Sequence, residues 1–191
     1  RQRSHSIYTT GEKMNLDLQI KDNFLPKDLF DKLSVYCTTL DYDDKIKYKS
    51  DDKIYNEHFF YTNQIFENDD LLKDIEKSVV KYFNMGIKNL HLAAFTLVAT
   101  KEPTPHVDKL KFPTEKHLII YLRGDSHMNA GTGFYESRGD VLNLNTAVGC
   151  YPNRAVLFNG HDTHHSPLLY TAENVTPRFA LIIWFEPEID L

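Results

Sequence analysis

The spacing of apolar positions divides the chain into a helical front and a strand-rich remainder. Leu16-Asp17-Leu18-Gln19-Ile20 alternates apolar and polar residues with period two, which predicts a strand. Lys21 to Pro26 ends it, and Pro26 suits the first turn of a helix, where its missing N–H would have no partner. Leu29, Phe30, Leu33 and Tyr36 or Cys37 recur at helical spacing, which predicts an amphipathic helix over 26–39. Asn68-Asp69-Asp70 offers an N-cap to a second helix. Leu71, Leu72, Ile75, Val79 and Tyr82-Phe83 continue it, and Asn84-Met85-Gly86 stops it. Between the helices, residues 41–53 are dense in Asp, Lys and Tyr and read as a solvated loop. Residues 54–66 are aromatic-rich, with room for a short strand.

From about residue 90 the pattern becomes that of strands. Residues 90–100, 117–122, 131–135, 154–158, 163–170 and 178–185 are the predicted strands, while 123–130 and 136–150 read as loops. The tripeptide 106–108 follows a Pro-rich turn and reads as a short strand. Short strands between Gly, Pro and Asn turns predict a mainly β fold, a sandwich or jelly roll, with the two helices packed on one outer face. No repeat or linker interrupts the pattern. The 191 residues are therefore expected to form a single domain, with 16–89 as helical support, 90–186 as the jelly-roll core and 1–15 as a polar tail or opening strand.

Composition narrows the partners. With 41% hydrophobic and 26% charged residues there is material for a substantial core, and a net charge of −5 creates no basic field for nucleic acid or a membrane surface. Two cysteines, Cys37 and Cys150, cannot make a disulfide framework and read as reduced thiols, so a cytoplasmic location is expected. No apolar run approaches the length of a membrane span.

The candidate chemistry centres on His106-Val107-Asp108. Side chains alternate along extended chain, so His106 and Asp108 can grip one ion from the same side. An imidazole and a carboxylate make two-thirds of the facial triad that holds non-haem Fe(II) with coordination positions left open. One short strand cannot supply a third facing ligand. The histidine-rich stretch His161-Asp162-Thr163-His164-His165 lies far enough along the chain to allow four intervening strands. Arg178 opens the apolar run Phe179 to Phe185, where its guanidinium could clamp a carboxylate in bidentate fashion, and Tyr121 could add a hydroxyl.

Taken in order, these motifs resemble the 2-oxoglutarate- and Fe(II)-dependent oxygenases, in particular the prolyl-hydroxylase-like branch. The resemblance runs from about Leu16 to Phe185. It rests on Ile20 to Pro26, His106-Val107-Asp108, Leu118-Ile119-Ile120-Tyr121-Leu122, Gly131-Thr132-Gly133-Phe134-Tyr135, Asn153 to His164, and Pro177-Arg178-Phe179-Ala180-Leu181. It implies a double-stranded β-helix and a dioxygenase that hydroxylates its substrate with release of succinate and CO2. In that resemblance Fe(II) is held by His106, Asp108 and His164, and 2-oxoglutarate is met by Arg178 and Tyr121. O2 is the further cosubstrate, and ascorbate is among the candidate cofactors. His164 is favoured over His165 because similar proteins place the distal ligand six residues after the aromatic closing the preceding strand, here Phe158. Asp108 argues against a halogenase, which lacks that carboxylate. The resemblance points to a prolyl residue in a peptide or protein as substrate, with small-molecule hydroxylation as an alternative. A cupin-like metal- or ligand-binding module without oxygenase activity is the rival from another class.

Overall fold

The computed structural model describes residues 17–42, 59–61, 69–98, 105–108, 114–168 and 178–188. Strand β1 (Leu18–Lys21) leads into helix α1 (Lys27–Tyr36). Pro26 sits one position before that helix, with extended backbone (φ −51°, ψ 143°), and its carbonyl accepts the first helical bond from Phe30 N–H at 2.9 Å. Helix α2 (Asp69–Phe83) buries Ile75, Val79 and Phe83, one residue per turn. Asn84 ends it in the left-handed region at φ 54°, a conformation Asn tolerates. The stop motif is thus one residue: Gly86 opens the next strand.

The strands form two antiparallel sheets. Seven of the remaining eight are β2 (Phe59–Tyr61), β3 (Gly86–Val98), β4 (Lys116–Arg123), β5 (Thr132–Arg138), β6 (Val141–Val148), β7 (Ala155–Asn159) and β8 (His164–Pro167), and β9 (Arg178–Glu188) closes the described chain. A six-stranded sheet runs β1-β7-β4-β9-β3-β2, and a three-stranded sheet runs β6-β5-β8. Alternation along β4 and β9 gives the large sheet two buried faces. Leu118, Ile120, Leu122, Leu181, Ile183 and Phe185 pack with Phe24, Leu33, Ile75 and Val79 on the helical side. Ile119, Tyr121, Val156, Phe158 and Ala180 pack with Phe134 and Val148 of the small sheet. Each fully buried Leu, Ile or Phe contributes about 1.5–3 kcal/mol, so both faces hold the central strands in register. The helices cover one face and leave the other for the site. Asn153, at φ 62°, ties the turn before β7 to the segment before α1: its side chain accepts from Leu25 N–H at 2.8 Å and donates to Leu25 carbonyl at 2.9 Å.

Two sequence expectations change. Residues 136–150 were expected to be loop, yet β6 pairs with β5 across Thr132↔Val148 to Arg138↔Val141. Val141 and Leu144 of β6 are exposed and only Val148, at its end, is buried, so its apolar residues trace no alternating buried face, and pairing with β5 defines the strand. The tripeptide 106–108 is not a full strand. It is held by an isolated bridge, with His106 N–H to His165 carbonyl at 3.0 Å and His165 N–H to His106 carbonyl at 2.8 Å, and Asp108 N–H donates to Gly160 carbonyl at 3.0 Å. The expected tail 1–15 and most of the acidic stretch 41–53 lie outside the described residues.

Candidate metal centre

The bridge between His106 and His165 brings two imidazoles and one carboxylate together. Ligand atoms of His106, Asp108 and His165 all lie within 4.8 Å of one another. His165 Nε2 is 3.7 Å from Asp108 Oδ2, and His106 Nε2 is 3.9 Å from Oδ1. The distal histidine of this cluster is His165, where the resemblance had favoured His164. The reason is strand alternation. His165 pairs with the fully buried Phe134, and its ring lies 4.7 Å from that of Phe158, so it points between the sheets. His164 is adjacent, pairs with Tyr135, and is therefore directed to the other face of β8. His161 lies in the turn between β7 and β8.

The protonation chemistry of the cluster suits a cation. His165 Nδ1 must carry the proton, since it donates to the carbonyl of Thr163 at 3.0 Å; Nε2 is then the lone-pair nitrogen facing Asp108. Burial pushes His165 down to about 3, against the opposing pull of Asp108, so the imidazole is neutral near pH 7. Burial acts to raise Asp108, but the neighbouring histidines, His117 first, outweigh it and hold the carboxyl down to about 2. An ionised carboxylate beside neutral imidazole is the form in which these side chains bind metal. The donor set is two nitrogens and one oxygen on one side, which fits a 2-His-1-carboxylate site.

Sequence reading passed over His117. Its Nδ1 lies 2.5 Å from Asp108 Oδ2, and only 3% of the residue is exposed. A signal was present: His117 precedes Ile119 and Tyr121 at period two in β4, a polar residue in an otherwise inward-facing apolar set.

The expected clamp residues sit further along the same face. Arg178 is only 8% exposed. Its Nη1 donates to Ala130 carbonyl at 2.8 Å and also to Gly131 carbonyl. Its guanidinium carbon is 5.5 Å from the centre of the Tyr121 ring. Nε is buried without a hydrogen-bond partner, and no carboxylate among the described residues forms an ion pair with it. Tyr121 is fully buried, with its hydroxyl 2.7 Å from Thr132 Oγ1, and burial raises it to about 12. Gly131 is required just before β5, because a Cβ there would lie 1.7 Å from the Val148 carbonyl oxygen at the end of the neighbouring β6. Gly131→Ala is expected to cost about 1–3 kcal/mol through overpacking, read as a lower urea midpoint.

No protein-family model matches the chain, and no curated protein matches it in sequence. Solved structures do match it in shape. A prolyl-4-hydroxylase from Pseudomonas putida aligns over 90% of this chain and 93% of its own, with a TM-score of 0.59 and 14% identity. The chain shares the fold of 2-oxoglutarate- and Fe(II)-dependent oxygenases. A prolyl hydroxylase from Trichoplax adhaerens, solved with a hypoxia inducible factor oxygen degradation domain peptide fragment, aligns over 90% of this chain and 84% of its own at a TM-score of 0.59 and 13% identity. The non-heme alpha ketoglutarate dependent epimerase SnoN of nogalamycin biosynthesis aligns over 90% and 79%, with a TM-score of 0.62 and 12% identity. The oxygenase fold thus hosts more than one reaction, and the chemistry of this chain has to be argued from its own residues.

Proposed function

We propose that this protein is a non-haem Fe(II)/2-oxoglutarate-dependent dioxygenase of a single domain with a double-stranded β-helix core. The observation that carries the reading is the pairing of two unlike features on one buried face. One is the His106, Asp108 and His165 cluster. The other is Arg178, a buried cation with no acid partner among the described residues. A buried guanidinium without a counter-charge is costly unless an anion completes it. A metal-binding module needs the first feature only, whereas a dicarboxylic cosubstrate uses both.

The spacing supports the same ligand. His117, beside Asp108, and Tyr121, beneath Arg178, are four residues apart on β4, about 13 Å of strand. The Asp108 and Arg178 side chains shorten that span from either end, leaving room for a short dicarboxylate. Arg178 would take its distal carboxylate through the guanidinium edge not committed to Ala130 and Gly131. Tyr121 keeps that guanidinium in place with its ring, and its hydroxyl is held by Thr132. Ile119 and Phe158, 5% and 0% exposed, line the face between and exclude water. His106, Asp108 and His165 would hold Fe(II), which with 2-oxoglutarate and O2 supplies the oxidising chemistry that hydroxylates a C–H bond. The substrate proposed is a prolyl residue of a peptide or protein, following the two prolyl hydroxylases of like fold. No helix among the described residues is long and apolar enough to cross a membrane.

The reading is tested by following 2-oxoglutarate conversion to succinate with Fe(II), O2 and proline-containing peptides. Asp108→Ala is expected to abolish succinate formation while the circular dichroism spectrum stays that of the parent. Undiminished turnover in Asp108→Ala would refute the assignment.

A further inference from the structure

We propose that His117 is a positioning residue for the metal-binding carboxylate: its imidazole holds one oxygen of Asp108 so that the other is presented to the ion. The proposal rests on the metal-site reading above and deepens it. An ionised carboxylate can only accept, so the 2.5 Å contact requires that Nδ1 of His117 carry the hydrogen and donate to Oδ2. Oδ1, 3.9 Å from His106 Nε2, accepts no hydrogen bond among the described residues, whereas Oδ2, which also lies 3.7 Å from His165 Nε2, is the oxygen held by His117. One oxygen is therefore anchored and one is left for coordination.

His117 is built to hold that direction. It stands on β4, which is paired on both sides, to β7 through His117↔Phe158 and to β9 through His117↔Trp184. Its ring is 4.7 Å from Phe158 and 5.7 Å from Trp184, and it meets the His165 ring edge-on at 5.1 Å. Rotation of the imidazole is blocked by packing, and the Asp108 contact is its polar anchor. Nε2 is buried with no hydrogen-bond partner among the described residues. A residue present only to fill space would be apolar here, since a leucine or phenylalanine would leave no nitrogen unsatisfied. The imidazole is explained by the atom it does satisfy. Nor is it a further ligand of the same kind, because the nitrogen facing the cluster is already committed to Asp108.

A carboxylate free to rotate can turn both oxygens to a metal. Fixing one of them enforces single-oxygen coordination and keeps positions open for the cosubstrate. Outer-shell partners of this sort typically change metal affinity by about 10–100-fold when removed.

The test uses metal-free full-length protein titrated anaerobically with Co(II) alone, following both affinity and the visible cobalt spectrum. His117→Leu is expected to bind about 10–100-fold more weakly, with an altered spectrum. His117→Asn, whose amide N–H stands close to where Nδ1 was, is expected to recover most of the lost affinity. Should His117→Leu fail to fold, His117→Phe, which keeps a ring against Phe158, takes its place in the comparison. The proposal is overturned if a folded apolar variant binds Co(II) as tightly as the parent, or if His117→Asn binds as weakly as the apolar variant. A parent protein that binds no Co(II) at all would instead bring down the metal site itself, and the His117 role with it.

Discussion

His165→Ala is expected to remove tight divalent-metal binding, and His164→Ala to leave it nearly unchanged. The two residues are neighbours in sequence, and both are histidines, so composition cannot separate them. Geometry does: His165 Nε2 faces Asp108 at 3.7 Å from the buried side of β8, while His164 belongs to the opposite face. Loss of a direct ligand should exceed the roughly 10–100-fold cost of losing an outer-shell partner. We therefore expect affinity for Co(II) or Fe(II) to fall by more than about 100-fold in His165→Ala and to stay within about threefold in His164→Ala, set against that same scale. Calorimetric titration of the two variants measures both. Weak binding in His164→Ala with tight binding in His165→Ala would restore the residue favoured by motif spacing.

The second large effect belongs to Arg178. Arg178→Gln keeps a polar group near Ala130 and Gly131 but removes the charge. Truncating one partner of a buried charge pair costs about 2–5 kcal/mol. At about 1.4 kcal/mol per tenfold, 2-oxoglutarate should bind at least about 30-fold more weakly. Metal affinity should not move, because Arg178 makes no contact with the cluster. This split separates the clamp from the metal site. Parallel loss of both would mean that Arg178 is a structural residue whose removal disturbs the sheet.

Much of this is legible in the chain itself. Helical periodicity gave both helices, and the β-branched, apolar run Leu118 to Leu122 gave the central strand. His106, Asp108 and Arg178 were selected as residue types whose chemistry requires partners, and the structure brings the first two together and buries the third. What was not legible depended on tertiary context. Of the apolar side chains of β6 only Val148, at its end, is buried, so pairing with β5 defines the strand and periodicity does not. His165 over His164 turns on a one-residue register, and a one-residue shift reverses every side chain. That register is fixed by the Phe134↔His165 pairing and the His106↔His165 bridge, both long-range contacts. His117 shares the period-two inward face of β4 but belongs to no His-x-Asp type of motif that would mark it as part of a site. Its importance follows from Asp108, nine residues earlier in the chain, coming to 2.5 Å of it.

The central claim is that one buried face binds a metal and a dicarboxylate together. Anaerobic visible absorption of the Fe(II)-loaded protein during titration with 2-oxoglutarate tests it most directly. We expect a weak visible charge-transfer band that saturates with added 2-oxoglutarate and is lost in Arg178→Gln at modest cosubstrate concentration. Fe(II) binding with no band at any 2-oxoglutarate concentration would contradict the oxygenase reading and leave a metal-binding module in its place.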